Sequence, residues 1–136
     1  MNDGDEFEFI THSMGAAFGE GMISYLKERG YKVRATLHIN PFQAHDIKAN
    51  KYKEPDLPWA GQEKTDLIVD YQNMNDPVIN NAFRSSPGEI KNADATYRVF
   101  STQDLTKIHR DPIDKGATQF WEAIMTEVNK FLNSGK

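Results

Sequence analysis

The hydrophobic and polar positions of the chain change period several times, and each change predicts the boundary of an element. Four short runs rich in β-branched and aromatic residues predict strands, at 7–11, 31–40, 66–71 and 96–101. The second run is the clearest, because Leu37 and Ile39 alternate with Thr36 and His38, and we expect His38 and the loop residue His45 to face solvent. Apolar positions at helical spacing predict two helices, at 15–29 and 117–133.

The first predicted helix has unusual glycines and a clear end. Gly30 follows its last turn, where glycine adopts the left-handed conformation that stops a helix. Gly19 and Gly21 each cost about 1 kcal/mol relative to alanine, so we expect them to allow a close approach to the sheet. The apolar stripe expected to face the core consists of Phe18, Met22, Tyr25 and Leu26. In the last helix the corresponding stripe consists of Phe120, Ile124, Val128 and Phe131, with Trp121 and Leu132 beside it.

Strands that alternate with helices and long loops predict an α/β fold. We expect a three-layer sandwich, with a mainly parallel sheet of about four strands and helices packed on it. The 136 residues form a single domain, 1–136. Residues 41–65 carry three of the six prolines and predict a long loop, either a lid over a substrate or a surface loop that packs Trp59 on the core.

Composition excludes several classes of function. The formal net charge is −4 and there is no lysine- or arginine-rich run, which argues against a nucleic-acid partner. No segment approaches the ~20 apolar residues of a membrane span. The chain has no cysteine, so a cysteine nucleophile or disulfide is excluded. The acidic start has no signal-peptide pattern, which predicts a cytoplasmic location unless a larger exported protein carries the chain.

The first strand is followed at once by a helix, and Ser13 lies at the turn between them. The turn reads THSMG, which matches the nucleophile elbow G-x-S-x-G at the serine and at Gly15 but has Thr11 in place of the first glycine. Such a turn exposes a nucleophilic hydroxyl beside a free N–H, which would bind an oxyanion. The alternative is that Ser13 only caps the helix.

Two further candidate residues follow later strands. Asp76 comes after the third strand and His109 after the fourth, so both are expected at the same edge of a parallel sheet as Ser13. The order serine, aspartate, histidine is that of α/β-hydrolases. Asp76 precedes Pro77 and is alternatively a turn residue, and the rival acids are Asp70, Asp104 and Asp111. Histidines and carboxylates show no metal-ligand spacing, and no cofactor is expected.

These motifs carry a resemblance to a known family. The stretches THSMGAA, NMNDPVINN and KIHRDP resemble, in this order, the C-terminal half of an α/β-hydrolase of the lipase and esterase type, and the NDPV stretch is similar to the acid loop of class 3 lipases. The segments FEFITHSMGAAFGEGMISYLKERGYKV and DPVINNAFRSSPG are also similar to lipase-like tails of bacterial RHS-repeat proteins. The resemblance implies Ser13 as nucleophile, His109 as general base, Asp76 as its orienting acid and the Met14 N–H as an oxyanion donor. It also implies an ester or lipid-like substrate.

The resemblance further predicts that the N-terminal strands of the full fold are lacking. The strand bearing Ser13 would then be an edge, expected to form a homodimer or to pair with a missing N-terminal half. One oxyanion donor would be lacking as well, which costs about 10²–10³ in rate, so we expect little esterase activity from the 136 residues alone. The alternative function is a non-catalytic assembly module that keeps the elbow as structure.

Overall fold

A computed structural model of the protein describes residues 5–50, 67–79 and 88–100, and six positions of a helix between 122 and 133. Its centre is a four-stranded sheet in the order β1-β2-β3-β4, in which all three strand pairs are parallel. The strands are β1 (Glu6–His12), β2 (Lys32–Ile39), β3 (Leu67–Asn73) and β4 (Ala95–Val99). The helix α1 (Gly15–Glu28) connects β1 to β2, and a 3-10 turn follows β2 at Ala44–Asp46. The predicted α/β fold with a parallel sheet is confirmed.

Helix α1 ends just before Gly30, as the sequence predicts. Gly30 has φ of +81°, and its N–H and that of Tyr31 donate to the carbonyls of Lys27 and Leu26, at 3.0 Å each. These two bonds satisfy carbonyl groups that the last helical turn leaves without a partner. The chain is thereby turned directly into β2.

The predicted core face of α1 is confirmed at Leu26 and wrong at its other three residues. Phe18, Met22 and Tyr25 are exposed, and the face that meets the sheet consists of Ala16, Gly19, Glu20, Ile23, Leu26 and Lys27. The helix lies so close to β1 that a Cβ on Gly19 would be 2.6 Å from Cγ2 of Thr11. The missing side chain of Gly19 permits this approach, and the bulky residue beside it, Phe18, points away from the sheet. Gly21 has no atom within 4 Å of such a Cβ, and its expected packing role is therefore also wrong.

Both faces of the sheet are buried at its two central strands, β2 and β3. The face under α1 has a cluster made of Ala16, Ala44, Ile47, Ala49, Ile68 and Ile90. The opposite face has a cluster made of Leu37, Ile39, Leu67 and Val69. Burial on two sides is usual for parallel sheets, and it leaves no solvent-facing side for the polar residues of β2 and β3.

The predicted last helix is described only in part. Its six described positions are helical and exposed: Glu122, Met125, Thr126, Asn129, Lys130 and Asn133. They are spaced as one face of a helix, whereas the predicted apolar stripe lies outside the described residues, as does Trp59. Among the described residues, no helix combines the length and the apolar character that crossing a membrane would require.

Candidate active site

Ser13 occupies a sharp turn between β1 and α1. Its φ is +56°, in the left-handed region that residues with a side chain rarely adopt. Its N–H donates to the Ile39 carbonyl at 3.1 Å, and its carbonyl accepts from Ala16 N–H and Phe42 N–H, both at 3.2 Å. Strained residues of this kind cost about 1–3 kcal/mol and persist where the surroundings fix the backbone, as these three bonds do.

Ser13 is not the cap of the helix. The N-cap of α1 is Met14, with φ of −63°, and the Met14 side chain makes no capping hydrogen bond. The alternative that Ser13 is the N-cap residue of this helix is therefore wrong.

Met14 places its N–H directly beside Ser13, at the start of α1. No hydrogen bond to this N–H is found within the described part of the chain. The N-terminus of a helix carries partial positive charge and donors without intrahelical partners, so the position suits a developing oxyanion. The Met14 side chain is exposed.

Asp76 lies at the same edge of the sheet as Ser13. It follows β3 by three residues, is fully buried and accepts a hydrogen bond from Val78 N–H at its Oδ1, at 2.8 Å. The turn role expected for a residue before Pro77 is thus confirmed, and the catalytic role stays a prediction. Strand β2 lies between β1, which precedes Ser13, and β3, which precedes Asp76, so β1 and β3 are about 10 Å apart. A serine and an aspartate at this separation interact only through a bridging group such as an imidazole.

Asn40 fixes the edge between these two positions and was missed in the sequence. It ends β2 with φ of +45°, and its N–H donates to the Tyr71 carbonyl at 2.7 Å. Its side-chain Oδ1 accepts from Asn73 N–H, also at 2.7 Å, in a fully buried position. The signal in the sequence was an asparagine directly after the predicted strand, since asparagine tolerates the left-handed region.

The candidate histidine and two rival acids lie outside the described residues. These are His109, Asp104 and Asp111. The third rival, Asp70, lies within β3 and faces α1 rather than the carboxyl edge. The structure therefore brings Ser13, the Met14 N–H and Asp76 to one edge, and excludes Asp70 from it.

A buried polar network lies beneath the turn. His38 Nε2 is 2.8 Å from Glu20 Oε1, and His38 Nδ1 is 2.7 Å from Thr11 Oγ1. The second oxygen of Glu20 accepts from the backbone N–H and side-chain Nδ2 of Asn50, at 2.7 and 2.9 Å. A carboxylate only accepts hydrogen bonds, so His38 Nε2 carries a proton and donates it to Glu20. His38 Nδ1 forms the second hydrogen bond of the ring, with the Thr11 hydroxyl.

This network corrects one expectation from the sequence and contains two residues whose roles the sequence did not predict. His38 is fully buried, not solvated, because the face it occupies is covered by α1. Thr11, which departs from the glycine of the usual elbow, holds a hydrogen bond and finds its space opposite Gly19. Glu20 was not recognised at all, although its position one turn after Ala16 places it on the buried side of the helix. The third histidine, His45, is half-buried rather than solvated.

Asp70 continues the polar row across the sheet. In the strand register, Thr11, His38, Asp70 and Thr96 are consecutive neighbours. Asp70 Oδ2 accepts from Gln72 Nε2 at 2.8 Å and from Ile90 N–H at 3.3 Å, whereas its Oδ1 is buried without a partner. Burial raises the pKa of Asp70 to about 6, against the lowering effect of those two hydrogen bonds and of nearby His38 and Arg98.

Comparison with protein-family models, with curated proteins and with solved structures finds no match to this chain. Among the described residues there is also no group of three or more histidine and carboxylate side chains placed to hold a metal ion. The function of the protein is therefore inferred from the geometry of the sheet edge that carries Ser13.

Proposed function

We propose that Ser13 is the nucleophile of a serine hydrolase of the lipase and esterase type, which cleaves ester or lipid-like substrates. The observation that carries the proposal is the strained backbone of Ser13, held at φ of +56° by three backbone hydrogen bonds at a position that is not the N-cap of the helix. Strain of this kind gathers at catalytic turns, and this one presents a hydroxyl at the carboxyl edge of a parallel sheet.

The proposed reaction proceeds in two halves. Ser13 Oγ attacks the ester carbonyl carbon while His109 takes its proton, and the Met14 N–H binds the oxyanion. The C–O bond then breaks, and His109 protonates the leaving alcohol. A water molecule releases the acyl group by the same steps, and Asp76 orients the imidazole throughout.

A second candidate function is a non-catalytic module that assembles through β1. It is favoured by the position of β1 at the edge of the described sheet, together with Ile10, which lies in that strand with 64 % of its surface exposed. In this case β1 pairs with a second copy or with the N-terminal half of a hydrolase fold, and the elbow is structural.

A fluorophosphonate probe separates the two functions. We expect it to label the 136-residue protein slowly at Ser13, as read by peptide mass spectrometry, and not to label Ser13→Ala. The matched control is Ser24→Ala on α1, which should label like the parent protein. Labelling that survives in Ser13→Ala would overturn the nucleophile assignment. A folded protein that remains unlabelled would favour the assembly module.

The same probe tests the partners of Ser13. His109→Ala should reduce the labelling rate by about 10²-fold or more, since the general base supplies a factor of this size. Asp76→Asn should reduce it as well, while Asp70→Asn should leave it unchanged because Asp70 faces α1. An undiminished rate in His109→Ala would remove that residue from the mechanism.

A further inference from the structure

The outer face of α1 carries an exposed apolar stripe. Met14, Phe18, Met22 and Tyr25 recur at helical spacing, and Met14 and Phe18 are 72 % and 73 % exposed. The outer face of a helix on a globular domain is normally polar, and apolar residues gathered on one face mark an interaction surface. We refer to these four residues as the α1 stripe.

The α1 stripe leans toward the outer edge of β1. On the inner side of α1, Gly19 packs on Thr11 of β1, whereas Glu20 reaches His38 of β2, so the helix lies over both strands. Each residue rotates the helix by about 100°, which places Met22 on the side of Gly19 and away from Glu20. Within the described sheet this is also the side on which β1 has no neighbouring strand.

We propose that a second copy of the chain docks on this side, with the two β1 strands antiparallel and the two α1 stripes in contact at Met22. Rotation by 180° about an axis perpendicular to the sheet pairs the two β1 strands antiparallel. The same rotation keeps both α1 helices on one face of the combined sheet. Each helix lies over β1 and β2, so the two axes are separated by about two strand spacings, or about 10 Å. Helices pack at about 8–10 Å, so strand pairing and helix packing occur together.

The two glutamates of β1 favour one register of the antiparallel pair formed by the two β1 strands. With Phe9 on the axis all seven residues of β1 are paired, and Glu6 lies opposite the partner's His12 while Glu8 lies opposite the partner's Ile10. A shift that placed Glu8 on the axis would instead oppose two like charges. Lys32 and Arg34 of the same chain lie 2.9 Å from Glu6 and Glu8 and reduce the repulsion between two acidic strands.

A single cysteine tests this register, because the chain has none of its own. Phe9→Cys places the two sulfurs across the axis, where opposed antiparallel residues have Cα atoms about 4.5–5.5 Å apart, within disulfide range. Mild oxidation should therefore link two chains. The matched variant Phe7→Cys should not form the link, since its two copies lie about 14 Å apart in this register. Linkage of Phe7→Cys without linkage of Phe9→Cys would overturn the register.

Sedimentation of the full chain tests the helix contact. The parent protein should be a dimer at micromolar concentration, and Met22→Glu should raise the dissociation constant about 100-fold or more by burying an unpaired charge. Ala17→Glu, an exposed position of α1 outside the α1 stripe, should leave the constant unchanged. A parent protein that stays monomeric at high micromolar concentration would overturn the inference. The proposal does not depend on the chemistry of Ser13, since oligomeric state and probe labelling are read separately.

Discussion

Thr11 of β1 and Gly19 of α1 are complementary, because the methyl group of the threonine fills the space that a side chain on Gly19 would need. A Cβ at Gly19 would lie 2.6 Å from Thr11 Cγ2. The usual elbow gains this room from a glycine in the strand, and here the glycine is in the helix instead. The threonine hydroxyl is thereby available to His38, 2.7 Å away.

Gly19→Ala should destabilise the protein by about 1–2 kcal/mol, since overpacking outweighs the better helix propensity of alanine. Chemical denaturation measures the free energy of unfolding. Gly21→Ala is the matched control and should stabilise by about 0.5–1 kcal/mol, because its Cβ meets no atom. Adding Thr11→Ser to Gly19→Ala should restore most of the loss, and the absence of this rescue would show that the contact is not the cause.

Thr11→Val should cost about 1–3 kcal/mol of stability at nearly unchanged shape, because it leaves the buried His38 Nδ1 without a partner. Thr11→Ser keeps the hydroxyl and should lose less. Nitrogen NMR of the imidazole provides a second measurement, in which the Nδ1 signal should change and the Nε2 proton, held by Glu20, should remain. An unchanged Nδ1 signal in Thr11→Val would contradict the hydrogen bond.

Ser13→Gly should be more stable than Ser13→Ala by about 1 kcal/mol, because glycine adopts positive φ without strain. Both variants lack the hydroxyl, so their difference in unfolding free energy reports the backbone alone. Ser24→Gly and Ser24→Ala on α1 form the matched pair, and there glycine should be the less stable. If the alanine variant were the more stable of the two at position 13 as well as at position 24, the backbone of Ser13 would not be strained.

Asp70→Asn should stabilise the protein at pH 7.5 by up to about 3 kcal/mol and change little at pH 4. The folded pKa of Asp70 is raised from 3.8 to about 6, so its contribution is fully present below about pH 4 and is lost as the pH rises through 6. Unfolding measured from pH 4 to 8 tests this window.

The sequence predicted the elements and the turn at Ser13, because period changes and glycines are local signals. Gly30 ends α1 as expected, and the alternation of β2 is that of a strand. The side of α1 that meets the sheet could not be read in this way, since the contact is made by small residues around Gly19 rather than by Phe18. His38 was assigned to solvent because alternation reveals two faces but does not show that both are covered.

For the candidate site, the sequence located Ser13 and Asp76 at one edge of a parallel sheet, which requires only strand order and direction. It did not predict Asn40 or the link from Glu20 to His38, because these contacts join residues far apart in the chain. His109 lies outside the described residues and stays a prediction.

The polar row through Thr11, His38, Asp70 and Thr96 also has a consequence for how the chain folds. A slip of β2 by one residue would turn His38 to the opposite face of the sheet, where Leu37 packs in the native structure. Glu20 would then be buried without its partner. Apolar side chains alone would tolerate such a slip, since one branched residue replaces another at little cost. The row therefore makes a misaligned pairing of β2 higher in free energy than the native one, which apolar side chains alone would not do.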